Sequence, residues 1–215
     1  MRIKAAFALS VAFTTCALVY PSFASARNMA NDSKGDPGAT PAASADAEGA
    51  ASQMVPAEAV LKNAIDAKKV HQGDEFKATL SQSVQLKNGT ELPRDTVLVG
   101  TIATDNMQSG GTSTLALRFT KAQLKDGKVI PIQADIMGIA GPNGAEPTES
   151  YNTSFAISPW DGTTTRVDEP GAVSGFDFHG RIGGQYSGQF VSTKKDNVKL
   201  APGSQIALAI AARPA

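Results

Sequence analysis

The sequence predicts an all-β protein: a single antiparallel β-barrel with a disordered N-terminal tail and a long Gly-rich loop region. Apolar and polar residues alternate over several stretches after residue 54, and Asn-Gly or Asp-Gly pairs separate some of these stretches. This is the pattern of antiparallel hairpins with one buried face. Glycine is frequent at 20 residues and aromatic residues make up only 6% of the chain, which favours a small β protein with many turns.

The first 26 residues have the order of a secretory signal peptide. Arg2 and Lys4 form a positive start, an apolar stretch runs from Ala5 to Tyr20, and Ala24-Ser25-Ala26 offers small side chains at the cleavage positions. The apolar stretch is shorter than the ~20 residues of a membrane span. We therefore expect cleavage after residue 26, no transmembrane helix afterwards, and a location in the periplasm or outside the cell.

Cleavage would also remove Cys16, the only cysteine, and leave no disulfide, thiolate nucleophile or cysteine-based metal site. The alternative is a lipoprotein cysteine, but Phe13-Thr14-Thr15 is a poor match to the small-residue motif that precedes such a cysteine. Export with cleavage is the interpretation that we carry forward.

Residues 27–54 predict a disordered linker. They are rich in Ala, Gly, Ser, Asp, Asn and Pro, and Met29 and Met54 are their only large apolar side chains. Such a segment buries too little surface to offset the entropy lost on ordering. We therefore place the β-barrel domain at residues 55–215.

The predicted strands follow the apolar alternation. Their apolar positions are Phe76 to Leu80, Val97 to Ile102, Leu115 to Phe119, Ile130 to Ile136, and Ile206 to Ile210 within a last strand from Gln205 to Ala211. Asn88-Gly89 predicts a two-residue hairpin turn, and Asp126-Gly127 predicts the next turn. Leu92 to Thr96 and Ala201 to Ser204 each place a proline and then a hydroxyl residue before a strand, which predicts two similar strand entries. For Ala57 to Val70, propensity alone favours a helix.

Residues 138–190 predict one long loop, with two short strands as an option, because they are rich in Gly, Ser, Thr, Asn and Pro. A loop of this length inside a compact domain is uncommon and often functional. The sequence therefore makes Gly138 to Gly188 the candidate contact region. Within it, Tyr151, Trp160 and Tyr186 are candidate ligand-binding residues, whose rings would stack on sugars. The alternative for Trp160 is a packing role.

Charge and composition disfavour several functional classes. Lys and Arg number 20, as do Asp and Glu, and no basic run exceeds two residues, which excludes a nucleic-acid partner. His71 and His179 are far apart in the chain, and Asp177 beside His179 would supply only two ligands, so we expect no metal and no cofactor. The doublets Asp74-Glu75 and Asp168-Glu169 are predicted to be solvated turn residues.

Nucleophilic catalysis is also disfavoured, and we expect no enzyme. Gly171 to Gly175 approaches a nucleophile elbow but places Ser174 one position too late. A hydrolase that uses Asp161, Asp177 and His179 is the catalytic hypothesis that stays open.

Five stretches, taken in order, carry a resemblance to a known family. They are Ala59 to Asp66, Gly73 to Leu80, Leu92 to Gly100, Leu124 to Ile132, and Gly138 to Gly144. Together they resemble the C-terminal β-barrel of TrbI-like scaffold proteins of type IV secretion and conjugation systems, in a stand-alone exported form. The resemblance covers about residues 57–144, with a looser match near Leu200 to Ile210.

The resemblance implies a strand rather than a helix over Ala57 to Asp66, and we adopt the strand. It also implies a non-catalytic structural or protein-interaction module, with other envelope or secretion-system proteins as partners and an oligomer as an option. Asp95 departs from the family, which usually has glycine at this turn position, and a signal peptide stands in place of the family's membrane helix. A periplasmic glycan or small-ligand binding protein is the alternative function.

Overall fold

The computed structural model describes residues 42–107, 113–142, 157–173, 176–192 and 197–213. Three parts of the sequence analysis lie outside these ranges: the predicted signal peptide, residues 27–41 of the predicted linker, and Tyr151. The elements are α1 (Ala42–Ala51), β1 (Val55–Leu61), β2 (Ile65–Asp66), β3 (Glu75–Leu80), β4 (Val84–Gln85), β5 (Glu91–Leu92), β6 (Val97–Met107), β7 (Ser113–Gln123), β8 (Val129–Ala140), β9 (Arg166–Val173), β10 (Phe176–Arg181), β11 (Gly188–Ser192), β12 (Lys199–Leu200) and β13 (Gln205–Ala212).

Six strands close into an antiparallel barrel, which confirms the predicted fold class. Their order is β6-β3-β1-β13-β8-β7, and β7 pairs back onto β6. Alternate residues of each strand point inwards and fill the barrel, and Phe76 and Phe119 meet edge to face with ring centroids 5.0 Å apart. Closure matters because it leaves the six barrel strands without the unpaired edge that an open sheet exposes.

A three-stranded extension branches from the barrel at β7. The second half of β7 pairs with β8, as in Lys121 opposite Pro131, whereas its first half pairs with β11, as in Leu115 opposite Phe190. β10 and β9 continue the sheet beyond β11. β7 therefore belongs to both the barrel and the extension. β8 and β11 pair with the same edge of β7, but with different halves of the strand.

The extension corrects the prediction of one long loop over residues 138–190. β8 runs to Ala140, and β9, β10 and β11 supply three further strands where one long loop was predicted. Phe176, Phe178 and Phe190 looked like scattered aromatics in a glycine-rich stretch, but they pack against one another on the buried face of the extension. The residues between 142 and 157 lie outside the described ranges.

Ser187 joins β7 and β8 at the point where they separate. Its backbone N–H donates to the Leu117 carbonyl at 2.8 Å, and its own carbonyl accepts the Ile136 N–H at 2.6 Å. Its buried hydroxyl accepts the Phe119 N–H at 2.9 Å. One residue thus satisfies backbone groups of both barrel strands that would otherwise lose their ladder partners.

Both hairpin turns contain three-residue loops, whereas a two-residue turn was predicted at Asn88-Gly89. Gly89 donates to the Leu86 carbonyl and has a φ of 82°, while the Leu86 N–H donates to Thr90. Gly127, with a φ of 85°, makes the same pair of bonds around Leu124. A type I turn followed by a left-handed glycine has this pattern, which explains why Asn-Gly and Asp-Gly suit it as well as they suit the shorter turn.

The two strand entries are alike, as predicted. Thr96 donates its N–H to the Pro93 carbonyl at 3.1 Å, and Ser204 donates to Ala201 at 3.2 Å. Both hydroxyls also bond back to the same carbonyls, at 2.6 Å and 2.8 Å respectively. The preceding residue has positive φ in each turn, and it is Gly203 in one and Asp95, with a φ of 66°, in the other.

Asp95 therefore adopts in its turn the backbone conformation that Gly203 adopts in the other. We expect Asp95→Val to lower the free energy of unfolding by about 1–2 kcal/mol, because a β-branched residue is strained at positive φ. Asp95→Gly should be close to neutral, since relief of strain is offset by the greater entropy of the unfolded chain. Urea unfolding measures both, and Arg94→Val is the control. Equal effects of Arg94→Val and Asp95→Val would contradict a strained backbone at residue 95.

The segment at Ala57 to Asp66 is extended, so the choice of strand over helix is confirmed. β1 pairs with β13 and with β3, and β2 pairs with β12 after a short break. Backbone pairing on both sides of β1 outweighs the helical propensity of its alanines and glutamate.

The end of the predicted linker is ordered, which corrects part of that prediction. Residues 42–51 form α1, and Ala47, Ala51 and Met54 are buried. Ala51 and Met54 belong to a second apolar cluster on the outside of the barrel, made of Ala51, Met54, Met137, Trp160, Ile182, Ala209 and Ala211. Alanine is the best helix former, and its small side chain permits close approach to a sheet, so a segment with few large apolar residues still folds here.

Candidate functional site

A polar cleft lies where β7 and β8 separate. It has a volume of about 250 Å³. Strands β7 and β8 form its walls, the loop between β10 and β11 covers one side, and the residue after β13 contributes at the rim. Its lining residues are Arg118, Phe119, Gln133, Asp135, Gly183, Gly184, Gln185, Tyr186, Ser187 and Arg213.

Asp135 is the buried charged group of this cleft. It lies on the outer face of β8, yet only 2% of the residue is exposed because the loop after β10 covers it. Its Oδ2 accepts the Gly183 N–H at 2.8 Å and a longer bond from Gln133 Nε2 at 3.4 Å. Burial raises the pKa of Asp135 to about 6, and these two bonds oppose the increase only in part.

Two arginines supply the positive charge of the cleft. Arg118 points out from β7 and donates from Nε to the Gln185 carbonyl at 3.1 Å, with a second bond from Nη2 to the same oxygen. Arg213 follows β13, and its backbone N–H is held by the Pro131 carbonyl. Within the described ranges its exposed guanidinium has neither a hydrogen bond nor an ion pair.

The predicted aromatic site is not assembled as expected. Trp160 is only 5% exposed, donates its indole N–H to the Thr164 carbonyl at 2.7 Å, and packs in the second apolar cluster. The packing alternative for Trp160 is therefore confirmed, because a buried ring offers no free face for stacking. Tyr186 is half-buried and lines the cleft, where its hydroxyl accepts a hydrogen bond from Thr104 at 3.2 Å. Tyr151 lies outside the described residues.

The residues of the hydrolase hypothesis hydrogen-bond to other groups and not to one another in the described part of the chain. Asp161 accepts bonds from Thr164 and Thr163 in a turn, and these bonds hold the pKa of Asp161 well below its usual range. Asp177 accepts the Gly171 N–H at 3.0 Å. His179 bonds to a different carboxylate, Asp168, so no hydrogen-bonded set of the three predicted residues forms among the described residues.

The partner of His179 is Asp168 on the neighbouring strand. Their side chains meet at 2.7 Å, and Arg166 contacts the other oxygen of Asp168 at 2.6 Å. The hydrogen bond from His179, with help from Arg166, lowers the pKa of Asp168. Asp168 and Glu169 thus lie within β9, which corrects their prediction as turn residues, whereas Asp74 does accept a turn hydrogen bond from the His71 N–H.

Sequence reasoning missed the charged residues of the cleft, Arg118, Asp135 and Arg213. In the sequence, Asp135 occupies a polar position of an alternating strand, which normally faces solvent. Its burial depends on a loop about fifty residues away along the chain, and alternation within one strand carries no signal of that loop.

Within the described ranges, no group of three or more His, Cys, Asp or Glu side chains is placed to hold a metal ion. In the same part of the chain, no helix has the length and apolar character needed to cross a bilayer. Comparison with protein-family models finds no match to this chain, and comparison with curated proteins finds none either.

Proposed function

We propose that this chain is a non-catalytic, exported protein of the bacterial cell envelope that works as a structural or protein-interaction module. Its partners would be other envelope or secretion-system proteins, as its resemblance to the TrbI-like barrel implies. The observation that carries the proposal is the extension β9 to β11, which adds a second exposed sheet face to a closed barrel.

The outer face of this extension is suited to a contact because it is polar and built on paired strands. Arg166, Asp168, His179 and Arg181 are exposed on it, and Gln189 is half-buried. Among the described residues, Val129 is the only large apolar side chain that is markedly exposed, at 51%. A contact made here would therefore be polar, and charge complementarity would select the partner.

The edge strand of the extension is poorly suited to pairing with a strand of another protein, so its face is the better contact surface. β9 is the edge strand, and it contains Pro170, which has no N–H to donate. Its pairing with β10 shifts register between Phe176 and Phe178, and Gly171 has a positive φ of 67°. Proline, charge and an irregular register are the devices that keep edge strands from pairing with other chains.

Site-specific photocrosslinking in cells tests the proposal. A photoreactive residue at Gln189 or Val191, on the outer face of β11, is expected to give discrete adducts with envelope proteins. The control is Lys77, which is exposed on β3 between buried Phe76 and Ala78 and thus sits on an equivalent strand surface of the barrel. Adducts at all three positions alike, or at none in folded exported protein, would count against a contact face on the extension.

The alternative function, a glycan or small-ligand binding protein, stays a prediction. Its aromatic platform loses Trp160 to packing, and of the two remaining tyrosines only Tyr186 lies in the described ranges. Tyr186 does line the polar cleft, which favours a small ligand over an extended glycan.

A further inference from the structure

The carboxylate of Asp135 is buried at the cleft with few partners. Its two hydrogen bonds both reach Oδ2, and the bond from Gln133 is long at 3.4 Å. An ionised carboxylate offers about four acceptor positions. A buried charge that lacks donors destabilises the fold, and the amide oxygen of an asparagine would accept the same Gly183 bond at lower cost. The fold alone therefore gives no reason for a carboxylate here, whereas a ligand that carries a positive group does.

Positive charge lies in the same cleft. The Arg213 guanidinium has no hydrogen-bond or ion-pair partner in the described part of the chain. Arg118 uses only two of its nitrogen atoms to donate to the Gln185 carbonyl. A guanidinium has five N–H donors, arranged to match a carboxylate. The bond to Gln185 also holds the Arg118 guanidinium against the loop that covers the cleft. The cleft thus has a buried negative pole and a positive pole at its opening.

We propose that this cleft binds a small zwitterion, namely a free amino acid or a dipeptide. The ligand ammonium would donate to Asp135, and the ligand carboxylate would accept from Arg213 and Arg118. The volume of about 250 Å³ lies below the ~300–1,000 Å³ of pockets that take drug-sized ligands, which limits the ligand to one or two residues.

The paired poles also explain why a singly charged ligand fits poorly. An anion alone would be attracted by the arginines and repelled by the carboxylate, and a cation alone would meet two guanidinium groups. A ligand with both charges satisfies each pole and leaves neither unpaired, which is how buried charges give specificity. This inference is independent of the contact function proposed for the extension, since the two use different residues.

Isothermal titration calorimetry on the mature protein tests the inference. The probes are alanine in both enantiomers and alanyl-alanine, with propylamine and propionate as singly charged controls of similar size. Titration near neutral pH and at low salt keeps both poles charged and limits screening of the exposed arginine. We expect heat of binding from at least one zwitterion, and binding of propylamine and propionate weaker by about tenfold or more.

Three variants then assign the poles. Asp135→Asn keeps the size of the side chain and its acceptor for Gly183, and Arg213→Gln removes the exposed charge. Each is expected to weaken zwitterion binding by about tenfold or more. Arg94→Gln is the control, because Arg94 is an exposed arginine in a turn that does not line the cleft. A circular dichroism melt confirms that each variant is folded.

Three results would overturn the inference: no heat from any zwitterion, propionate binding as tightly as alanine, or unchanged zwitterion affinity in folded Asp135→Asn. The second result would indicate a simple anion site at the arginines. None of these results bears on crosslinks from β11, so the failure of one proposal is distinguishable from the failure of the other.

Discussion

Gly180→Ala is expected to destabilise the protein by about 3 kcal/mol, because the added methyl group has no space. A Cβ at this position would lie well inside 3.0 Å of the carbonyl oxygen of Ile136, and also close to the Phe178 ring. The oxygen belongs to the backbone of β8, so it cannot rotate away as the end of a flexible side chain would. Either β10 must move off the barrel or the strand must distort.

Gly138→Ala is the matched control for this prediction. Gly138 also lies in a strand, at the end of β8, but a Cβ there would meet only ordinary contacts at 3.6 Å and 3.7 Å. Thermal unfolding followed by circular dichroism should show a melting temperature lower by about 6–12 °C for Gly180→Ala, and little change for Gly138→Ala. Equal melting temperatures would mean that β10 does not approach β8 as closely as the structure shows.

The barrel was predictable because most of its strands show a local alternation of apolar and polar residues. Alternation assigns one buried face to each of the strands β3, β6, β7, β8 and β13. Strands with one apolar face bury it inside a barrel or between the two sheets of a sandwich. The strand at β1 was different. Its alanines and glutamate favour a helix, and only the resemblance indicated a strand, because its stability comes from pairing with β13 and β3, which no local pattern reveals.

The strands of the extension could not be predicted because their glycine-rich composition is typical of a loop. Gly180 is required where β10 lies against the Ile136 carbonyl, and Gly188 lets β11 pack tightly against the Ile136 side chain. The close packing that holds the extension onto the barrel therefore appears in the sequence as a glycine-rich loop. Gly171 and Gly183 add positive φ angles around the same strands. Glycines that permit close approach are indistinguishable from glycines that permit a turn until the partner strand is known.

The cleft could not be predicted for a related reason. Asp135, Arg118 and Arg213 come from three separate strands or their ends, and they line one cleft because β7 and β8 diverge at Ser187. By contrast, Trp160 stood out in the sequence as the single tryptophan, and it serves packing. The rarity of tryptophan made Trp160 conspicuous, but a sequence does not show which side chains are buried. Burial is what perturbs the carboxylate of Asp135.

Asp135→Asn is expected to stabilise the protein at neutral pH by up to about 3 kcal/mol. In the folded protein the pKa of Asp135 rises from 3.8 to about 6, so between these two values the folded state binds more protons than the unfolded state. The stability of the wild-type protein therefore falls as pH rises through this window. Asparagine does not titrate, still accepts the Gly183 N–H, and avoids the cost of the buried charge.

The sign of the effect makes the test specific. The gain of Asp135→Asn over wild type, measured by urea unfolding, should be near zero at about pH 4 and should reach its full size above about pH 7. Asp168→Asn is the control with the opposite sign, because the pKa of Asp168 is lowered by His179 and Arg166, and its carboxylate stabilises the folded state at neutral pH. A gain for Asp135→Asn that is equal at both pH values would show that residue 135 carries no buried charge in the folded protein, and the proposed zwitterion site would then lose its negative pole.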